Sequence, residues 1–238
     1  MEAFNQIYKL RQNDYSCYDK VTPYAILDLC QDVASKHVIS FNLDYETMLN
    51  QNLLWVLCRM RYQLINPFPL YADVKVYTKP KEKGLVDFDR EYLIVDAKEE
   101  DKIYVKAISK WVIIDKESRR IIPAKKISYN LPIDGPFNFE KIDKLKDFDI
   151  DNNTNKYEYK IEFNDLDHNF HVNNIRYAYM ISNALNTKDE IIDYQIDYLH
   201  EIHKDEKVDI YYKKIDNIYY VKGIVNKTIS FIANIITK

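Results

Sequence analysis

Two stretches of this chain match each other at a constant offset of 151 residues, and the match runs without a gap from a polar loop into a helix. Asn13, Asp14 and Val21 in the first stretch recur as Asn164, Asp165 and Val172 in the second. In the same register Ile26, Leu29, Cys30, Val33 and Ala34 fall on Tyr177, Met180, Ile181, Ala184 and Leu185. Both sets have the i, i+3, i+4, i+7, i+8 spacing that puts one apolar stripe on a helix. The chemistry between these landmarks is not shared. Asp167, Asn169 and His171 stand where the first copy has Ser16, Tyr18 and Lys20. A duplicated fold is expected, with its polar constellation in the second copy only.

The 238 residues are enough for one large domain or two of about 110 residues each, and the repeat favours two. A net charge of −3 without a long basic run argues against nucleic acid as a partner. Cys17, Cys30 and Cys58 have no metal-like spacing and read as free thiols of a reducing compartment. Residues 1–20 hold no apolar signal-like run, and no segment is long enough to span a membrane. A cytoplasmic location without membrane partners is therefore expected.

Read in order, Phe4–Arg11 is a strand. A helix over Pro23–Lys36 starts with Thr22 as N-cap and proline at its first position. A short helical piece covers Leu43–Asn50. Strands follow at Leu53–Ile65, Ala72–Thr78, Val86–Val95 and Ile103–Ile114, with a charged turn, Asp96–Lys102, between the last two. Pro123–Asp151, with Pro132, Gly135 and Pro136, breaks the pattern and reads as a connection holding at most one short helix. Lys156–Phe163 restarts the plan. After it come the polar loop, a helix over Asn174–Leu185 with Asn173 as N-cap, and strands at Ile191–Ile202, Lys207–Lys214, Ile218–Val225 and Thr228–Ile236. Asp216-Asn217 and Asn226-Lys227 supply the turns between the last three.

Asp167, Asn169 and His171 alternate, which puts them on one side of an extended segment. That segment leads into a helix N-terminus, where unpaired N–H groups favour developing negative charge. A carboxylate, an amide and an imidazole there can orient water and polarise a carbonyl. Asp165, Asp167, Asn169 and Asn173 equally suit turn and cap hydrogen bonds. The first copy enters its helix without the trio, so the trio reads as dispensable for folding. His37 ends the first helix, where a cation suits the dipole. Trp55 and Trp111 suit the core, and Arg59 is an oddity on an apolar strand, placed either against a carboxylate or at the surface. His168 and His203 have no evident partner. A metal site from Asp165, Asp167, His168 and His171 lacks zinc-like spacing, so no metal is expected.

The run Asp167–Tyr177 closely resembles the D-x-N-x-H-V-N-N-x-x-Y signature of acyl-acyl carrier protein (acyl-ACP) thioesterases. The resemblance extends over most of the chain through Gln31-Asp32, Trp55, Arg59, Ser109-Lys110-Trp111-Val112 and Ser118-Arg119-Arg120. It implies an α+β tandem hot-dog fold, each half an antiparallel sheet wrapped round a long helix. The expected division is an acyl-pocket hot dog at 1–128, a linker at 129–152 and a catalytic hot dog at 153–238. The family also has a Glu-Cys pair after the second helix. Glu201 matches its carboxylate, but Ile202 stands at the cysteine. A Cys-His-Asn scheme implied by the family is thus closed here.

The implied reaction is hydrolysis of fatty acyl-ACP to free fatty acid, with water activated by a carboxylate and no cofactor. Asp167, Asn169, His171 and Glu201 are the expected catalytic groups. Asn173, Asn174, Tyr177, Trp55, Arg59 and His37 are the expected substrate contacts. The expected partner is an acyl carrier protein bearing its acyl chain, and a homodimer is allowed. Because such carriers are acidic, docking calls for a local basic patch, with Lys81, Lys83, Arg119, Arg120, Lys125 and Lys126 as candidates. An acyl-coenzyme A thioesterase and a non-catalytic acyl-binding hot dog are the alternative readings.

Overall fold

The computed structural model describes residues 3–128, 136–137 and 139–238. Pro132 and Gly135 of the expected connection lie outside the described residues. The elements run β1 (Phe4–Lys9), α1 (Pro23–Ile39), α2 (Tyr45–Asn50), β2 (Leu53–Leu64), β3 (Asp73–Pro80), β4 (Phe88–Asp96), β5 (Ile103–Asp115) and β6 (Ile121–Ile122). They continue with β7 (Asn155–Lys160), α3 (Asn174–Leu185), β8 (Ile191–Tyr198), β9 (Lys207–Ile215), β10 (Ile218–Val225) and β11 (Thr228–Thr237). Two compact units result. One comprises Met1–Asp14 and Asp28–Ile142, the other Tyr15–Leu27 and Asp143–Lys238.

Within the first unit the antiparallel strand order is β1-β3-β4-β5-β2, with β6 added to β5. Within the second it is β7-β9-β10-β11-β8. Taking β1 as the counterpart of β7 and β2 as that of β8, the two orders are the same. The duplication read from the loop and helix thus extends to the strand order of both units. All ten residues expected on the paired apolar stripes are buried. The connections between the last three strands are as tight as expected, with Asp216, Asn226 and Lys227 at positive φ. No helix among the described residues is long and apolar enough to cross a membrane.

The match between copies extends to individual backbone hydrogen bonds. Arg11 N–H donates to the Asp14 carboxylate and Glu162 N–H to that of Asp165, each across a one-turn 3-10 helix. Tyr15 bridges Val21, and Leu166 bridges Val172. Ser16 N–H reaches Lys20 C=O and Asp167 N–H reaches His171 C=O, both at 2.8 Å. The polar segment is therefore a tight hairpin, not the extended run expected, with Asp19 and Phe170 at equivalent positive φ of 57° and 62°. The first strand of each half also stops sooner than expected, because the Asp14 and Asp165 carboxylates draw the next residues into a turn.

The segment between the halves is a strap, and no helix forms in its described part beyond Ala124–Lys126. On β4, adjacent residues face opposite sides of the sheet. Arg90 reaches His37 of α1, while Glu91, only 1% exposed, faces the strap. The Glu91 carboxylate accepts the Phe139 N–H at 2.7 Å and pairs with Lys81 and Lys79. Lys81 also donates to Phe139 C=O, and Arg59 to Ile142 C=O at 3.1 Å. In the second unit Asp197 accepts Leu145 N–H, Gln195 donates to Asp143 C=O, and Lys222 donates to Asp147 and to Phe148 C=O. Buried charges on the sheet faces thus find partners in the strap backbone, as burial requires.

Candidate active site

The Asp167 carboxylate is built into the hairpin. Its Oδ1 accepts the N–H of Asn169 at 2.8 Å and that of His171 at 3.3 Å. In the first copy the Ser16 hydroxyl accepts the equivalent Tyr18 N–H at 3.3 Å. This corrects the expectation that the trio is dispensable for folding. Asp167 has a turn role, and serine supplies it where the rest of the constellation is missing. Asn169 is half-buried at the turn, with its N–H committed to Asp167.

His171 lies three residues before the first residue of α3, and its backbone bridges His203. Its Nδ1 is 3.5 Å from Glu201 Oε1. The strand expected over Ile191–Ile202 ends at Tyr198, because Leu199 and His200 both donate their N–H groups to Ser230 C=O. The chain turns there, and Ile202 C=O accepts the Val172 N–H at 2.8 Å. Ile202 is fully buried, with Glu201 and His203 on either side of it in sequence and exposed. The position that the family resemblance gives to cysteine is thus a core position here. The structure brings His171 and Glu201 together and adds His203, whose ring meets that of His171 edge-on at 4.7 Å. His203 carried no role in the sequence. The signal was its spacing, two residues beyond Glu201 with a buried isoleucine between them.

The expected substrate contacts divide. Asn173 is the α3 N-cap, its Oδ1 accepting Ile175 N–H at 3.1 Å. Asn174 gives its C=O to the Tyr198 hydroxyl. Tyr177 is buried edge-on against Tyr198 and Phe231. Burial, then the nearby Glu201 charge, push its hydroxyl pKa up. These residues form a floor that fixes the start of α3.

The other three belong to the first unit. Trp55 packs edge-on to Phe88 in an apolar cluster with Leu43, Met48 and Ile113. Arg59 is bound to the strap. His37 is not the helix-capping cation expected. The helix continues to Ile39, and His37 is buried between Phe4 and Phe41. Its Nδ1 lies 2.9 Å from Arg90 Nη1. Burial, then the Arg90 charge, lower its pKa to about 4, so it is neutral and accepts from the guanidinium. Asp165 is also buried in its turn, accepting Glu162 N–H and the Tyr159 hydroxyl. That leaves no cluster of Asp165, Asp167, His168 and His171.

Two five-strand antiparallel runs of the same order, each preceded by the same hairpin and helix, define a tandem hot-dog protein. Residues 1–127 match the acyl-ACP thioesterase N-terminal domain, and 148–234 match the acyl-ACP thioesterase C-terminal domain. The chain belongs to the acyl-ACP thioesterase family. It is 26% identical over 235 residues to the chloroplastic oleoyl-acyl carrier protein thioesterase 2 of Arabidopsis thaliana, a match that covers 87% of this chain and 62% of that protein. The chain thus spans under two thirds of that relative's length. Among solved structures, an acyl-ACP thioesterase from Bacteroides thetaiotaomicron aligns with a TM-score of 0.86 at 19% identity, covering 98% of this chain and 97% of the other. The 12:0-ACP thioesterase of Umbellularia californica aligns with a TM-score of 0.83 at 17% identity, covering 99% and 97%. These likenesses establish the fold.

Proposed function

We propose that this protein hydrolyses the thioester of fatty acyl-ACP in the cytoplasm, releasing free fatty acid and the carrier thiol. The observation that carries the reading is the Glu201–His171 pair, 3.5 Å apart, beside a buried Ile202 that offers no nucleophile. One of the pair takes a proton as water attacks the carbonyl carbon. The C–S bond then breaks, and the proton passes to the leaving thiolate. Charge on the tetrahedral oxygen develops beside the N-terminus of α3, which favours it. Asp167 holds the hairpin that aims His171, and Asn169 faces the substrate or the water. Asp167 remains a second candidate base through its carboxylate, but its Oδ1 is already engaged with two N–H groups.

The carrier is the acidic partner, and docking relies on surface cations. Lys81 and Lys83 are already committed to Phe139 and Ile127 carbonyls. Arg119, Arg120, Lys125 and Lys126 are left as the patch, and all four are exposed. The test is thiol release from acyl-ACP and acyl-coenzyme A over a range of chain lengths at low and moderate salt. Faster turnover of acyl-ACP that weakens with salt supports the reading. Equal turnover of both carriers, independent of salt, points to an acyl-coenzyme A thioesterase. Tight acyl binding without hydrolysis points to a binding protein.

A further inference from the structure

Three side chains of two chemical types converge at the candidate site. The ligand atoms of His171, Glu201 and His203 all lie within 4.8 Å of one another. Ligands 2.0–2.1 Å from one tetrahedral ion are separated by roughly 3.4 Å. The His171–Glu201 separation of 3.5 Å already meets this, so only the exposed His203 ring must turn. The backbones carrying the three groups are pinned. His171 and His203 face each other across an antiparallel bridge, Val172 N–H donates to Ile202 C=O, and His203 N–H donates to the Glu206 carboxylate at 2.8 Å. Glu206 is itself held by the Asn226 amide. The backbone presentation is therefore preformed, which lowers the ordering cost of binding.

We propose that His171, Glu201 and His203 form a site for a divalent transition ion of the zinc class, and that its occupancy inhibits hydrolysis. Two imidazoles and a carboxylate are the donor set that zinc accepts with a fourth position left to solvent. Magnesium and calcium, which prefer oxygen ligands, are disfavoured. A bound ion takes the lone pairs of the same imidazole and carboxylate that water activation needs. The inhibitory part rests on the proposed function, but the binding part does not.

The experiment titrates the metal-stripped full chain with Zn2+ by calorimetry, and with Co2+ by visible absorption, alongside thiol-release assays. One ion per chain, tetrahedral Co2+ bands and inhibition reversed by EDTA are expected. His203→Ala should weaken Zn2+ binding and raise the inhibitory concentration by at least roughly tenfold, read against the variant's own metal-free turnover. Glu201→Gln should weaken binding in the calorimeter whatever its effect on turnover. Cys17→Ser controls for the exposed thiol and should change neither measurement. Circular dichroism checks that each variant folds. Absence of Zn2+ binding, binding untouched by His203→Ala, or binding lost in Cys17→Ser overturns the site. Zn2+ bound at the site with unchanged or faster hydrolysis overturns the inhibitory part. If the wild type binds Zn2+ in this way yet hydrolyses no thioester, the proposed function fails and the metal site stands.

Discussion

Ser16 and Asp167, 151 residues apart, accept the same backbone hydrogen bond in equivalent hairpins, from the N–H of Tyr18 and of Asn169. One hydroxyl and one carboxylate thus fill the same place in the turn, and the carboxylate alone brings charge and a second hydrogen bond, from the N–H of His171. Asp167→Ser should then fold with stability within about 1 kcal/mol of the parent, since an equivalent hydrogen bond is kept. Asp167→Ala should lose more, because two N–H groups lose their acceptor. If the charge also serves catalysis, both variants should lose about 10²-fold in kcat. Urea titration and turnover on the same preparations separate the two roles. An Asp167→Ser variant with full activity would limit Asp167 to the turn.

Glu201 is exposed and sits next to His171 without carrying the core. Glu201→Ala should lower kcat by about 10²-fold or more, the scale of general-base loss, with thermal stability unchanged. Since Ile202 is buried in the cysteine's place, alkylation of Cys17 should leave turnover intact. A folded triple Cys→Ser variant should likewise stay active. Trapping of an acyl-cysteine would falsify the water mechanism.

Glu91 is enclosed by Lys79, Lys81 and the Phe139 N–H. Glu91→Ala leaves two cations and an N–H without their carboxylate. Breaking a buried pair from one side costs about 3–5 kcal/mol. Equilibrium urea unfolding should show a loss of that order, and a loss under 1 kcal/mol would mean that the strap relaxes freely. Double substitution with Lys79→Met should recover part of it.

His37 has its pKa lowered from 6.5 to about 4 in the folded protein. Between these values the unfolded chain binds the extra proton and the folded chain does not. His37 therefore adds a stability increment that is fully present above about pH 6.5 and is lost as pH falls toward 4. His37→Gln, which can still accept from Arg90, should flatten this slope in thermal melts between pH 4 and 6.5. An unchanged slope would assign it to other groups.

Gly223 pairs with Phe231 across β10 and β11, and a Cβ at Gly223 would lie 2.0 Å from the Phe231 ring. Phe231 in turn supports Tyr177. Gly223→Ala should push the ring against Tyr177 and destabilise the second unit by about 1–3 kcal/mol. A melt unchanged from the parent would show that the ring has room to move.

The sequence alone determined the duplication, the helices with their apolar stripes, and the short turns. Each of these is set by interactions among residues near one another in the chain. Thr22 and Asn173 cap their helices through N–H groups only two or three residues away, so periodicity and cap chemistry suffice. The trio's neighbourhood was legible for the same reason, as was Glu201 through resemblance. Other features depended on partners far along the chain. Glu91 carried no sequence signal of burial, because its cover comes from residue 139, 48 residues on. His37 suited the helix dipole as a cation until Arg90, 53 residues on, was found to donate to it. His203 gained a neighbour only when the turn after β8 brought it beside His171. Burial and long-range pairing decide the charge state and role of such groups, and only the tertiary structure supplies them.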